Sequence, residues 1–178
     1  VPKLPEYGMG TGFFINRIHI VTNYHVIKNF DSIKIYAYNH PFAITDIKIV
    51  GYDEEIDIAV IEVMEEIPHD FLQWADIEPY IGDDVYALGH GVSQIWSLTK
   101  GILSYDYRPN PATSFVHYIQ TDAVINAGNS GGPVMNEDGE IEIYQEARDP
   151  VAAAKLKKYR LSGKGKKADL AYDIKSKK

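Results

Sequence analysis

The sequence predicts an all-β protein made of two connected halves, and two observations support this prediction. As far as residue 145, short runs rich in Val, Ile, Tyr and Phe are separated by turn residues, as in β-sandwiches and barrels. Apolar and polar residues alternate in SIKIYAY (32–38) and ITDIKIV (44–50), which is the period of half-buried strands. We therefore expect a sandwich or a pair of barrels.

Eight segments carry the strand signal. They are GFFINRIHIVTNYHVI (12–27), SIKIYAYN (32–39), AITDIKIVGYD (43–53), DIAVIEV (57–63), DDVYALGH (83–90), WSLTKGILSYD (96–106), FVHYIQTDA (115–123) and GPVMN (132–136). Between the fourth and fifth, residues 64–84 contain two prolines and many acids, a composition typical of a connection. We place the boundary near Leu72, which gives an N-terminal half (1–72) and a C-terminal half (73–178).

The composition limits the chemistry that is available. The 178 residues include no cysteine, which excludes disulfides, thiolate zinc sites and a cysteine nucleophile. The six histidines share no metal-ligand spacing. We expect neither a metal nor any other cofactor.

Charge is distributed unevenly along the chain. Residues 1–150 contain 8 Lys and Arg against 23 Asp and Glu, whereas residues 151–178 contain 10 against 2. Asp149, Pro150 and the following alanines and lysines, up to Gly163, predict a short basic helix. We favour docking of this basic segment on the acidic body; contact with nucleic acid or an anionic membrane, or no role at all, are the alternatives.

The two ends of the chain give little evidence about targeting. No run approaches the roughly 18 apolar residues of a membrane-spanning helix, and the first residues show no positive-then-apolar signal pattern. We expect a processed or trimmed form, and the compartment stays open.

The segment NAGNSGGPV (126–134) is the clearest candidate for chemistry. Its three glycines let the backbone around Ser130 turn tightly and bring N–H groups close to a bound carbonyl. An acyl-transfer site needs such donors for its oxyanion. A glycine-rich turn with one serine also occurs without any catalytic role.

Two other segments supply the partners that a serine nucleophile needs. TNYHVI puts His25 at the end of one β-like run, and Asp57 begins the apolar run DIAVIEV. A carboxylate at the head of such a run is costly to bury unless it is paired. A serine hydroxyl is activated by a base, and a carboxylate orients that base, so His25, Asp57 and Ser130 fit these three roles.

Three segments resemble, in order and spacing, the trypsin-like serine proteases of the HtrA/Deg type. They are GTGFFINRIHIVTNYHVI (10–27), YDEEIDIAVIEV (52–63) and IQTDAVINAGNSGGPVMNEDGE (119–140). The resemblance implies two six-stranded antiparallel β-barrels, with His25 and Asp57 in the first and Ser130 in the second. It also implies an oxyanion hole formed by the N–H groups of Gly128 and Ser130. We expect a protease domain alone, without a PDZ domain, because few residues remain after the second barrel.

The same resemblance places Val124 and Ile125 at the base of the primary specificity pocket. Because neither is charged, we expect cleavage of unfolded polypeptides after small or medium aliphatic residues. The chain departs from the family at IEIYQ (141–145), where Ile143 stands in place of a glycine that keeps the pocket open. We expect Ile143 to contact substrate and to narrow the pocket.

These expectations define the predicted function and its alternative. The prediction is a serine endopeptidase with a polypeptide substrate, which could form a homo-oligomer and, by resemblance, be periplasmic or otherwise exported. The alternative is a latent enzyme or a catalytically silent, protease-like binding module that uses its basic C-terminal segment.

Overall fold

The computed structural model describes residues 8–77, 79–90, 96–109 and 117–141. Within these ranges the chain is mostly β-strand, with one helix of four residues. The elements in chain order are β1 (Phe13–Phe14), β2 (His19–Asn23), α1 (Tyr24–Ile27), β3 (Ile47–Asp53), β4 (Ile58–Val63), β5 (Asp84–Gly89), β6 (Ser97–Pro109), β7 (His117–Thr121) and β8 (Val134–Met135).

The strands form two four-stranded antiparallel sheets. The N-terminal sheet has the order β1-β2-β4-β3, and the C-terminal sheet has the order β7-β6-β5-β8. The predicted all-β class is therefore confirmed. Closure of each sheet into a six-stranded barrel stays a prediction.

Strand β4 is the centre of the N-terminal sheet because it pairs with β2 on one side and β3 on the other. Its apolar run is buried on both faces, with Ala59, Val60, Ile61 and Val63 all at most 2% exposed, as expected for a short continuous apolar segment. The main core cluster on this sheet consists of Ile20, Ile27, Ile44, Ala59, Ile61, Val63 and Ile67.

Two predicted strand segments differ from the observed structure. The strand expected to continue through Tyr24–Ile27 ends at Asn23, and a helical turn follows, closed by the Lys28 N–H bond to the Tyr24 carbonyl oxygen. Residues 32–39, despite their alternation, make only the isolated bridge Ile35–Ile44. Asn39 has a φ of 58° and Pro41 has no N–H to donate, so extended pairing stops there.

The connection between the sheets is held at both ends by backbone hydrogen bonds. The Leu72 N–H donates to the Phe14 carbonyl oxygen (2.9 Å), on the N-terminal sheet. One residue later, Gln73 accepts from the N–H of Ile141 (2.8 Å), and Ala75 donates to Ile141 (3.0 Å). The backbone partners thus change between Leu72 and Gln73, although the predicted domain division itself stays a prediction.

Two predicted features lie outside the described residues. These are Ile143 and the basic helix after Asp149. In the part of the chain that the structure describes, no helix has the length and apolar character needed to cross a bilayer.

Candidate active site

Strand register brings His25 to Asp57. Asn23, the last residue of β2, lies opposite Ile58, the first residue of β4. The Asp57 carbonyl oxygen accepts from the N–H of Tyr24 (3.1 Å) and from Nδ2 of Asn23 (2.8 Å). These two bonds end β2 and start α1, so the next residue, His25, lies beside the Asp57 side chain.

The Asp57 carboxylate holds His25 by two atoms. One oxygen accepts from the His25 backbone N–H (2.8 Å), and the other lies 2.5 Å from Nδ1 of the imidazole. Because an ionised carboxylate can only accept, the proton of this hydrogen bond is on Nδ1, and in the neutral ring the lone pair is then on Nε2. The ring is therefore oriented with its basic nitrogen away from Asp57.

The pair lies at the surface. The side chains of His25 and Asp57 are 56% and 40% exposed, so the carboxylate is paired as expected but not deeply buried. Asp57 also has a φ of 54°, in the left-handed region that Asp enters more readily than most residues. The turn between β3 and β4 thus presents the carboxylate towards α1.

Ser130 lies in a loop, residues 126–132, which we call the serine loop. Its first part is a four-residue turn in which the Asn129 N–H donates to the Asn126 carbonyl oxygen (3.0 Å). Gly128, the third residue of this turn, has a φ of 101°, which identifies a type II turn, a conformation that requires glycine or asparagine there. Gly131 is also left-handed, with a φ of 86°.

The serine loop lies between the two sheets. A Cβ atom on Gly131 would collide with the Thr11 carbonyl oxygen and the Thr22 hydroxyl group, which belong to the N-terminal side. A Cβ atom on Gly132 would collide with the carbonyl oxygen of Leu88, in β5. These glycines permit a backbone approach that no side chain would allow.

Two backbone donors beside the serine are unpaired. Among the described residues, the N–H groups of Gly128 and Ser130 donate no hydrogen bond. An oxyanion hole consists of such free donors, held rigidly next to the nucleophile. These are the two groups that the sequence resemblance implied.

Among the described residues, the third member of the predicted triad is not hydrogen-bonded through its side chain to the other two. Within the described ranges, Ser130 Oγ makes no hydrogen bond to His25. In protease structures without substrate, the bond between nucleophile and base is often long and tightens only when substrate binds. The structure therefore brings His25 and Asp57 together, and the role of Ser130 beside them stays a prediction.

A cavity of about 290 Å³ lies beside Ser130. Its lining is largely apolar and comes from both sheets and from the connection between them. The apolar lining residues include Phe13, Val21, Ile58, Trp74, Ile125 and Val134. Of the predicted pocket residues, Ile125 belongs to this lining. Val124 does not, and its carbonyl oxygen accepts from the Thr99 hydroxyl group (2.8 Å).

The charged groups near α1 are paired. Lys28 forms an ion pair with Glu54, and this hydrogen bond raises the pKa of the lysine. Tyr24, next to His25, stacks on Tyr52 with the ring centroids 4.3 Å apart. Over the described ranges, no group of three or more His, Asp or Glu side chains is arranged to hold a metal ion.

Sequence reasoning missed one residue that the structure places at this site. Thr11 contacts the serine loop through its hydroxyl and its backbone N–H, at Gly128 and Ser130 respectively. The only local signal was its position between two glycines in the segment GTG (10–12).

Comparison with known proteins shows the family to which the chain is similar. The trypsin-like peptidase domain family matches residues 10–141. A "Probable periplasmic serine endoprotease DegP-like" of Chlamydia trachomatis is 38% identical over 144 residues, which is 79% of this chain and 28% of that protein. A protein with the same description from Rickettsia prowazekii is 38% identical over 150 residues, again 79% and 28%.

A vertebrate relative shows similar identity and coverage. "Serine protease HTRA1A" of Danio rerio is 40% identical over 140 residues, which is 74% of this chain and 28% of that protein. The chain thus spans about 28% of the length of each of these three relatives.

Proposed function

The chain belongs to the trypsin-like peptidase family, in its HtrA/DegP branch, and we propose that it is a serine endopeptidase that uses Ser130, His25 and Asp57. The observation that carries this proposal is the Asp57 carboxylate on Nδ1 of His25 (2.5 Å). The N–H groups of Gly128 and Ser130, which donate to no other residue in the described ranges, support it.

In the proposed reaction, Ser130 Oγ attacks the scissile carbonyl carbon while Nε2 of His25 takes the hydroxyl proton. The carbonyl oxygen becomes an oxyanion and accepts hydrogen bonds from the N–H groups of Gly128 and Ser130. His25 then gives its proton to the leaving amine, and an acyl-enzyme on Ser130 remains.

Water completes the cycle. His25 takes a proton from the attacking water and returns one to Ser130 Oγ as the acid product leaves. Asp57 keeps its charge throughout, because its role is to hold the imidazole tautomer and to stabilise the imidazolium ion. The exposure of His25 gives water access to this step.

The finer features of the fold and of the substrate are part of the same proposal. We propose that the two observed sheets belong to two six-stranded barrels, and that the substrate is an unfolded polypeptide with an aliphatic residue before the scissile bond. Ile125 and the apolar cavity beside Ser130 support this preference. Since two of the relatives are described as periplasmic, we also propose an exported location.

Active-site labelling tests the proposal directly. The full chain, Ser130→Ala and His25→Ala are treated with a fluorophosphonate probe and, separately, with unfolded casein. Ser104→Ala, a serine in β6 outside the serine loop, is the matched control. We expect labelling and casein cleavage in the wild type and the control, and neither in the other two variants.

Other labelling results would contradict the assignment of the nucleophile or favour the alternative function. Labelling that persists in Ser130→Ala would refute the assignment of the nucleophile. Absence of labelling in the wild type would favour the alternative of a latent enzyme or a silent binding module. Recovery of labelling on addition of hydrophobic peptides would then identify the latent enzyme.

A further inference from the structure

We infer that the Thr11 hydroxyl group is a positioning group for the oxyanion hole, an inference that rests on the proposed function. The observation behind it is a set of hydrogen bonds between Thr11 and the serine loop. Because Thr11 is buried, we assign it no direct contact with substrate. It acts through the backbone of Gly128 and Ser130.

Thr11 is buried and makes hydrogen bonds with all of its polar atoms. Its side-chain hydroxyl donates to the Gly128 carbonyl oxygen (2.7 Å) and accepts from the His90 N–H (3.2 Å). Its backbone N–H donates to the Ser130 carbonyl oxygen (2.8 Å), and its own carbonyl oxygen accepts from the Thr22 hydroxyl (2.6 Å). Thr11 is only 6% exposed.

These bonds hold the peptide groups next to the oxyanion donors. The donors are the N–H groups of Gly128 and Ser130, and Thr11 binds the carbonyl oxygens of the same two residues. In each of the two residues, the carbonyl oxygen belongs to the peptide group that follows the N–H donor. Because a peptide group is planar, a hydrogen bond to this oxygen fixes the orientation of that whole peptide group. Thr11, in the N-terminal half of the molecule, therefore restricts rotation about the backbone bonds of Gly128 and Ser130.

Gly128 needs this restriction more than any other residue of the turn. A glycine reaches a φ of 101° without steric cost, but it leaves that conformation equally easily. Rotation of the peptide group before or after Gly128 would turn its N–H away from the oxyanion. The buried Thr11 hydroxyl opposes this rotation, since a freed Gly128 carbonyl oxygen would lose its hydrogen bond.

The experiment compares Thr11→Ser with Thr11→Ala, two variants that differ from each other by a single oxygen atom. For each, kcat and KM are measured on an aliphatic peptide ester, together with the affinity for a peptide aldehyde. The aldehyde forms a hemiacetal with Ser130 whose oxygen occupies the oxyanion hole, so it reports on transition-state binding. Val63→Ala, in the core of the N-terminal sheet and remote from the serine loop, is the control for lost stability.

We expect Thr11→Ser to stay within about twofold of the wild type in kcat, and Thr11→Ala to fall about tenfold with KM unchanged, less than the loss of a direct oxyanion donor. Aldehyde affinity should fall in parallel with kcat. Val63→Ala should keep its kcat at temperatures where it remains folded. Should Thr11→Ala not fold, Thr11→Val, which keeps the γ-methyl group, replaces it as the hydroxyl-free variant.

Equal kcat values in the serine variant and the hydroxyl-free variant, with the wild type active, would overturn the role of the hydroxyl and leave the proposed function intact. A rise in KM at constant kcat would overturn it as well. If the wild type neither hydrolyses the ester nor labels at Ser130, the proposed function fails and the role of Thr11 fails with it.

Discussion

Asn23 lies directly opposite Ile58 in the antiparallel pair of β2 and β4. This pairing places two of the three residues of the proposed triad side by side, because His25 comes two residues after Asn23 and Asp57 one residue before Ile58. A register slip of one residue would separate them. The pairing of β2 with β4 therefore specifies the position of the carboxylate.

The first prediction concerns the charge of Asp57. Asp57→Asn should lower kcat on the order of 10³–10⁴-fold, because an amide no longer stabilises the imidazolium ion or enforces the tautomer with the proton on Nδ1. Melting temperature should change little, since the Asp57 carbonyl bonds to Tyr24 and Asn23 remain. Kinetics on a peptide ester and thermal unfolding check both statements.

Asp53→Asn is the matched control for that variant. Asp53 lies in the same acidic stretch and caps the turn by accepting from the Glu55 N–H (3.0 Å). We expect its kcat to stay near that of the wild type. A comparable loss of kcat in both variants would contradict the assignment of Asp57.

The second prediction compares two glycines with a positive φ, Gly139 outside the serine loop and Gly131 within it. The comparison separates the free-energy cost of backbone strain from the cost of a steric clash. Gly139→Ala should cost about 1–2 kcal/mol of unfolding free energy, because Gly139 has a φ of 76° with no atom near the added Cβ. Gly131→Ala should cost about 1–3 kcal/mol more, because its Cβ would also collide with Thr11 and Thr22. Urea denaturation of both variants measures the difference, and equal losses would show that the loop is not packed against Thr11.

The third prediction concerns specificity. Peptides with Val or Ile before the scissile bond should exceed those with Lys or Arg by at least about tenfold in kcat/KM, because an apolar pocket offers no partner for a cation. Ile125 is the lining residue on which this depends. A peptide library scored by mass spectrometry gives the profile, and dominance of basic residues would refute it.

The fourth prediction concerns His90 and pH. Partial burial lowers the pKa of His90 in the folded protein, and its Nδ1 accepts from the Trp96 N–H (3.2 Å). The unfolded chain, with a His pKa of about 6.5, binds the proton more readily. Folding stability due to this group is therefore present above about pH 6.5 and is lost as pH falls below it.

His90→Asn, which keeps an acceptor near the Nδ1 position, should remove this contribution. Urea unfolding at several pH values below 6.5 should show a smaller loss of stability in the variant than in the wild type. Parallel curves would mean that His90 is not the group responsible.

The sequence allowed individual candidate residues to be selected, whereas the contacts around them are visible only in the structure. Ser130, His25 and Asp57 each stand in a local pattern with a chemical meaning, so they could be selected without a structure. Thr11 could not be selected, because its bond to Gly128 joins residues 117 positions apart. Such a contact exists only after the two sheets have docked.

The secondary structure around His25 shows the same limit. Val26 and Ile27 are β-branched and favour a strand, and this preference led to the prediction of one. The helical turn forms because the Asp57 carbonyl oxygen accepts a hydrogen bond from the N–H of Tyr24. A contact from another part of the chain overrides the local preference.

The position of the serine loop between the sheets has a consequence for the synthesis and folding of the protein. During synthesis the N-terminal sheet, with His25 and Asp57, leaves the ribosome well before Ser130, and the Gln73 bond to Ile141 that ties the connection to the second sheet comes later still. Under the proposed function, a growing chain that still lacks Ser130 therefore cannot hydrolyse neighbouring proteins. We expect hydrolytic activity to be the last property to return on refolding, after β-sheet circular dichroism, and its earlier return would contradict this order.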